Sequence, residues 1–108
     1  MARYTLIASR DLFESREAAH YCELAAELKK AGNDVTLFLV QNGVLGARES
    51  SVSGALSRIA QDGVSVLADS FSLRERGMSA ENLAAGIKSA ELDLIVDHMA
   101  EGAKVVWH

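Results

Sequence analysis

The stretch Ala68-Asp69-Ser70-Phe71-Ser72-Leu73-Arg74-Glu75-Arg76-Gly77 gathers a carboxylate, two hydroxyls and two guanidinium groups into one short segment. Groups of these types at this spacing can do two kinds of chemistry. Asp69, with Arg10 or Arg74 as the nearby cation, can act as an acid/base or accept a phosphoryl group. Arg74 and Arg76 can steer a small anion, with Ser70 and Ser72 beside them to hold it, although Glu75 between the two arginines balances the local charge. The segment follows the apolar run Val64-Ser65-Val66-Leu67, so it reads as a polar loop at the end of a strand.

The remaining chemistry-bearing residues are sparse. Cys22 is the single cysteine, and it shares a helical apolar stripe with Ala18, Tyr21, Ala25 and Leu28. A thiol on such a stripe behaves as a small hydrophobe and is inert. His20, His98 and His108 match no zinc-ligand spacing, and no cysteine cluster supports them, so no metal is expected. His20 and His98 fall on the polar sides of their helices, where solvation is the default. There is no Gly-x-Ser-x-Gly motif for a nucleophilic serine. The first strand leaves through Ser9-Arg10-Asp11-Leu12 without a glycine-rich turn, which argues against a dinucleotide fingerprint, and no cofactor is expected.

The elements that position these residues follow a repeated grammar of helix, glycine, strand. Gly32, Gly63, Gly86 and Gly102 each precede a strand-like run, as expected where a helix closes in a left-handed conformation. Val52, Ala55, Leu56, Ile59 and Ala60 recur at helical spacing, as do Leu92, Ile95, Val96 and Met99, giving one apolar face per helix. Asp11 or Ser15, Ser50 or Ser51, Ser79, and Ser89 are the candidate helix caps. A short third helix is expected over about 79–85, and a weak fourth strand near Ile87, suited to an edge. Continuous apolar strands over 5–8 and 35–40 suggest burial on both faces. Strand and helix alternate, which predicts a three-layer α/β/α fold with a mostly parallel five-stranded sheet.

Such folds bind ligands beyond the carboxyl ends of their strands. The residues expected there are Ser9, Arg10, Asn42, Gly43, Asp69, Ser70, Ser72 and Arg74, with His108 near the last strand's end. Val44 and Leu45, apolar residues in the loop after the second strand, are expected to tuck into the core or to contact another subunit. Asp69 resembles the phospho-acceptor of response-regulator receiver domains. That pattern also has paired acids after the first strand, where this chain offers only Asp11, and a final helix beyond Trp107-His108.

The totals bound the function. The 108 residues suit one domain, 1–108, with a core that needs neither disulfide nor metal. A formal net charge of −4 with scattered Lys and Arg argues against nucleic-acid binding. No apolar run approaches the ~20 residues of a membrane helix, and no signal peptide is visible, so a cytoplasmic protein without membrane contact is expected.

Three segments resemble the DsrE/DsrF/TusD superfamily of small sulfur-relay proteins. They are the long first helix running into Ala31-Gly32-Asn33-Asp34-Val35-Thr36-Leu37-Phe38-Leu39, the Asn42-Gly43-Val44 turn, and Gly63-Val64-Ser65-Val66-Leu67-Ala68 followed by Ser72-Leu73-Arg74-Glu75-Arg76-Gly77-Met78. Their order fits across essentially the whole chain. In catalytic members the loop after the third strand carries a cysteine, often as Cys-x-x-Cys-Leu, whose thiolate accepts a sulfane sulfur. The matching positions here are Asp69 and Ser72, and neither can carry a persulfide.

The resemblance therefore implies a DsrE-like fold without sulfurtransferase activity. It implies a homo-oligomer, trimer or hexamer, or a hetero-oligomer with a cysteine-bearing relative. The expected role is a scaffold or a small-ligand or partner-binding subunit related to sulfur relay. Two alternatives stay open: an enzyme or phospho-switch using Asp69, and a sulfur carrier through Cys22.

Overall fold

The computed structural model describes residues 2–11, 16–48 and 54–107. The candidate caps Ser15, Ser50 and Ser51, the stripe residue Val52, and His108 lie outside them. Strand β1 (Arg3–Ala8) leads to helix α1 (Arg16–Lys30), strand β2 (Asp34–Leu39) and a 3-10 helix over Gln41–Ala47. Then come α2 (Gly54–Gln61), β3 (Ser65–Asp69), α3 (Ser70–Glu75), a 3-10 turn at Ala80–Asn82, β4 (Ile87–Ala90), α4 (Asp93–Ala100) and β5 (Lys104–Trp107).

The strands form one sheet in the order β4-β3-β2-β1-β5, and every pairing is parallel. Chain order and sheet order together decide where the helices go. The steps β1 to β2 to β3 to β4 all run in one direction across the sheet, and the last step returns across it to the far edge. Right-handed crossovers place the first three connections on one face and the last on the other.

The core divides accordingly. On one side Leu6, Ala8, Val35, Leu37, Leu39, Val66 and Ala68 of the strands meet Tyr21, Cys22 and Ala25 of α1 and Leu56 and Ile59 of α2. On the other, Ile7, Phe38 and Val40 meet Ile95 of α4, with Leu67 and Val105 packed around them. The period-two alternation of strand side chains supplies both sets from the same strands. Among the described residues, one face thus has the fifteen residues of α1 and the eight of α2 plus α3, and the other has the eight residues of α4.

The glycine grammar holds at Gly32, Gly63 and Gly102, which follow helices with positive φ; Gly86 shares the positive φ but follows a turn instead of a helix. Strand β4 is an edge, as its few apolar residues imply. Three local expectations are corrected. The helix expected over about 79–85 is only the 3-10 turn Ala80–Asn82, which Ser79 caps by accepting from the Glu81 N–H, and a plain turn follows into Gly86. The stretch expected to be a polar loop is α3. Ser89 does not cap α4 but lies inside β4, and the N-cap position, Leu92, has no side-chain cap.

Of the loop hydrophobics, Val44 is fully buried in the main core, and Leu45 is half-buried. The α4 stripe is likewise not a single buried face. Ile95 is buried, whereas Leu92, Val96 and Met99 stand in solvent.

Candidate functional site

Asp69 ends β3 and begins α3. Its extended backbone (φ −62°, ψ 122°) is that of an N-cap residue, and its Oδ2 accepts from the Ser72 N–H at 3.0 Å. An aspartate is among the best N-caps because a carboxylate satisfies a free amide at the positive end of the helix. Here the cap is doubled: the Ser72 hydroxyl also donates to Asp69 Oδ2, at 2.7 Å. The Ser72 Oγ in turn accepts from the Gln41 N–H at 2.8 Å. Both side chains are buried, Asp69 at 7 % and Ser72 at 4 % exposure. Asp69 and Ser72 therefore close on each other through Oδ2.

This pair is stitched to the loop after β2. Arg76 donates through Nε and Nη2 to Asn42 Oδ1, at 3.2 and 3.0 Å, and through Nη1 to the Ser72 carbonyl at 3.3 Å. Gln41 is held with φ at +51°, a left-handed conformation that costs energy for a residue with a side chain. Gly43 lies against the exit of β1: a Cβ there would collide with the Ala8 carbonyl oxygen and sit 3.1 Å from its carbon. Three strand ends, those of β1, β2 and β3, are thus locked together at one edge.

The eight expected site residues separate into groups. Asp69, Ser70 and Arg74, with Phe71, form one wall of an open cleft of about 250 Å³ whose other wall is the turn at residues 91–93. Asn42 and Ser72 belong to the stitched network. Gly43 is packed against backbone, and Ser9 and Arg10 stand at the exit of β1, with Arg10 exposed. Among the described residues no Lys or Arg forms an ion pair with Asp69, although Arg74 borders the same cleft. A larger cleft, about 420 Å³, opens elsewhere beside Arg48, Met78 and Asn82; the Arg48 Nε already donates to the Leu45 carbonyl at 3.2 Å.

What sequence reading misses at this edge is the bonding of Gln41 and Arg76. Asn42 lies 34 positions from Arg76, and Gln41 lies 31 from Ser72, so no local pattern links them. Asp69 before a hydroxyl-rich segment did carry a cap signal.

Cys22 is buried against the main core, and desolvation, with a smaller contribution from Glu23, pushes its thiol up to about 11. At neutral pH that leaves roughly one thiol in ten thousand ionised. His20 is exposed. His98 is not simply solvated: it is half-buried, with Nδ1 2.8 Å from the hydroxyl of the buried Thr5. Among the described residues no cluster of three or more His, Cys, Asp or Glu is placed to hold a metal ion, and no helix is long and apolar enough to cross a membrane.

A five-stranded parallel sheet with helices on both faces and a polar cap at the end of its third strand defines a small α/β protein with its candidate site at the carboxyl edge. The chain belongs to the DsrE/DsrF-like family, whose model matches residues 2–107. Solved structures share the fold. The protein of unknown function MTH1491 from Methanobacterium thermoautotrophicum is 24 % identical, with all of both chains covered and a TM-score of 0.87. The YchN protein from E. coli is 20 % identical, again over all of both chains, with a TM-score of 0.90. The conserved protein of unknown function BT1422 from Bacteroides thetaiotaomicron is 17 % identical over 98 % of this chain and 94 % of its own, with a TM-score of 0.77. No curated protein matches the chain.

Proposed function

We propose that this chain is a non-catalytic DsrE-like subunit. It acts in the cytoplasm as an oligomeric scaffold that holds a small ligand or a partner in sulfur relay and passes no sulfur itself. The observation that carries this reading is the closed Asp69–Ser72 pair. It occupies the positions where the resemblance places the reactive cysteines, and it offers hydrogen bonds where a relay needs a polarisable thiolate. The state of Cys22 supports the same reading, since a buried thiol raised to about 11 neither attacks nor leaves readily near pH 7. The cleft bordered by Asp69, Ser70 and Arg74 is the ligand candidate at this edge.

The test is intact mass after exposure to a polysulfide or thiosulfate donor without reductant, alongside Cys22→Ser. The expected result is no mass gain in either protein. A gain of one sulfur atom that vanishes in Cys22→Ser would make Cys22 a carrier and refute the non-catalytic reading.

A further inference from the structure

The connection leaving β3 packs on one face of the sheet through α3, and the connection leaving β4 packs on the other through α4. These two strands are neighbours, so their exits diverge and a gap opens between them at the carboxyl edge. In open parallel sheets, ligands bind where the connections diverge in this way. The cleft of about 250 Å³ sits in this gap. Asp69, Phe71 and Arg74 follow β3 on one wall, and Glu91, Leu92 and Asp93 follow β4 on the other. Its volume lies just below the ~300–1,000 Å³ of pockets for drug-sized molecules, so the occupant is small.

The groups that would hold an anion at this edge are already spent. The Ser72 N–H and hydroxyl both donate to Asp69 Oδ2, and Arg76 is tied to Asn42 and to the Ser72 carbonyl. Arg74 remains, facing the carboxylates of Asp69, Glu91 and Asp93, and among the described residues it forms no ion pair with any of them. Asp69 itself lacks a donor. The side chain is more than nine-tenths buried, yet its second oxygen, Oδ1, has no hydrogen-bond partner among the described residues. A buried carboxylate oxygen without a donor is costly, and native structures keep few of them. The missing donor can enter by the cleft that Asp69 lines.

We propose that this cleft binds a small organic cation, an ammonium group on an apolar body, which donates to Asp69 Oδ1 and is attracted by Glu91 and Asp93. This rests on the small-ligand reading above and names the class of ligand which that reading leaves open. An ammonium brings three N–H donors and no acceptor, which suits walls that carry three carboxylates. Phe71 and Leu92, both more than half exposed, supply apolar surface for the body, and an aromatic face also attracts a cation. A bare metal ion fits less well, because among the described residues no three His, Cys, Asp or Glu side chains converge to ligate one.

The experiment is a titration of the full chain followed by the amide NMR shifts of residues 69–74 and 91–93. The probe is phenethylammonium chloride, with 2-phenylethanol as the neutral comparison and phenylacetate and thiosulfate as the anionic ones. Phenethylammonium is expected to shift these amides saturably, with a Kd on the order of millimolar for a ligand of this size. The neutral and anionic probes are expected to bind at least roughly tenfold more weakly, since the charge is what differs. Glu91→Gln/Asp93→Asn changes two exposed positions and leaves the Asp69 cap in place. It is expected to weaken phenethylammonium binding roughly tenfold with unchanged circular dichroism. Phenylacetate or thiosulfate binding more tightly at these amides than phenethylammonium overturns the cation and leaves the small-ligand reading standing. Equal binding of phenethylammonium and 2-phenylethanol, or binding that the double variant retains in full, overturns the cation as well. No saturable shift from any probe removes the cleft as a ligand site. None of these outcomes alters the polysulfide result, which reports on Cys22, so the two readings fail separately.

Discussion

Replacing Ser72 by alanine isolates the edge network in one atom. The Ser72 Oγ makes two hydrogen bonds, a donation to Asp69 Oδ2 at 2.7 Å and an acceptance from the Gln41 N–H at 2.8 Å. The first is a bond to a charged group in a buried setting, and its loss costs about 1.5–3 kcal/mol. The second leaves a backbone N–H without its partner, but Gln41 is exposed enough for water to replace the serine, so about 0.5 kcal/mol is the fair charge. Alanine is the better helix former by a few tenths of a kcal/mol, which offsets part of this. The net expectation is a loss of about 2 kcal/mol, which lowers Tm by roughly 8 °C in a domain of this size. Urea unfolding measures it as a lower midpoint with an unchanged slope. Ser70→Ala, two residues earlier on the same helix, is the control and is expected within about 0.5 kcal/mol of wild type. The cycle with Asp69→Ala should show a coupling of about 1 kcal/mol or more. A Ser72→Ala loss no larger than that of Ser70→Ala would refute the claim that Asp69 and Ser72 are closed on each other, and would return Ser72 to the candidates for ligand contact.

Gly43→Ala is expected to destabilise by about 3 kcal/mol in the same assay, because the new methyl meets the Ala8 carbonyl and the backbone of β1 must yield; a neutral substitution would mean that β1 and the loop after β2 are not in contact. Cys22 makes stability fall with alkali. Its folded pKa is raised to about 11, above the ordinary thiol value near 8.5, so the contribution is complete below about pH 8.5 and is lost as pH rises through about 11. Cys22→Ala should flatten the denaturation midpoint across that window relative to wild type, and identical slopes for the two proteins would contradict the assigned burial.

The architecture was legible because it is written in long, repeated signals. Apolar runs at 35–40, helical stripes through Ala25 and Ile59, and glycines at 32, 63 and 102 each extend over several residues and agree with one another. Helix α3 was not legible for the converse reason. At six residues it spans less than two turns, too short to show a period, and its existence depends on the Asp69 cap more than on its own pattern. The edge network was hidden because its bonds join residues more than thirty positions apart. His98 was misjudged because helix periodicity says which side is polar but not what faces it, and Thr5 waits 93 positions away. The Leu92, Val96 and Met99 stripe was read as core because a sequence does not reveal that one short helix must cover a whole sheet face.

The return of the chain from β4 to β5 has a consequence for the order in which the molecule can assemble. Strand β1 is the earliest strand in the chain, yet one of its two ladders is completed only by β5, the latest. Until then Tyr4 to Ile7 present unpaired backbone groups on one side, and Phe38 and Ile7 lack Ile95 above them. During synthesis the nascent chain therefore carries an open, sticky strand edge beside an uncovered apolar surface for most of its length. Closure comes as one late event in which α4 and β5 dock together, with Tyr21 Oη donating to the Val106 carbonyl at 2.6 Å as a latch from the first helix to the last strand. Loss of that final segment would leave no smaller stable protein, only an edge that pairs with whatever strand it meets.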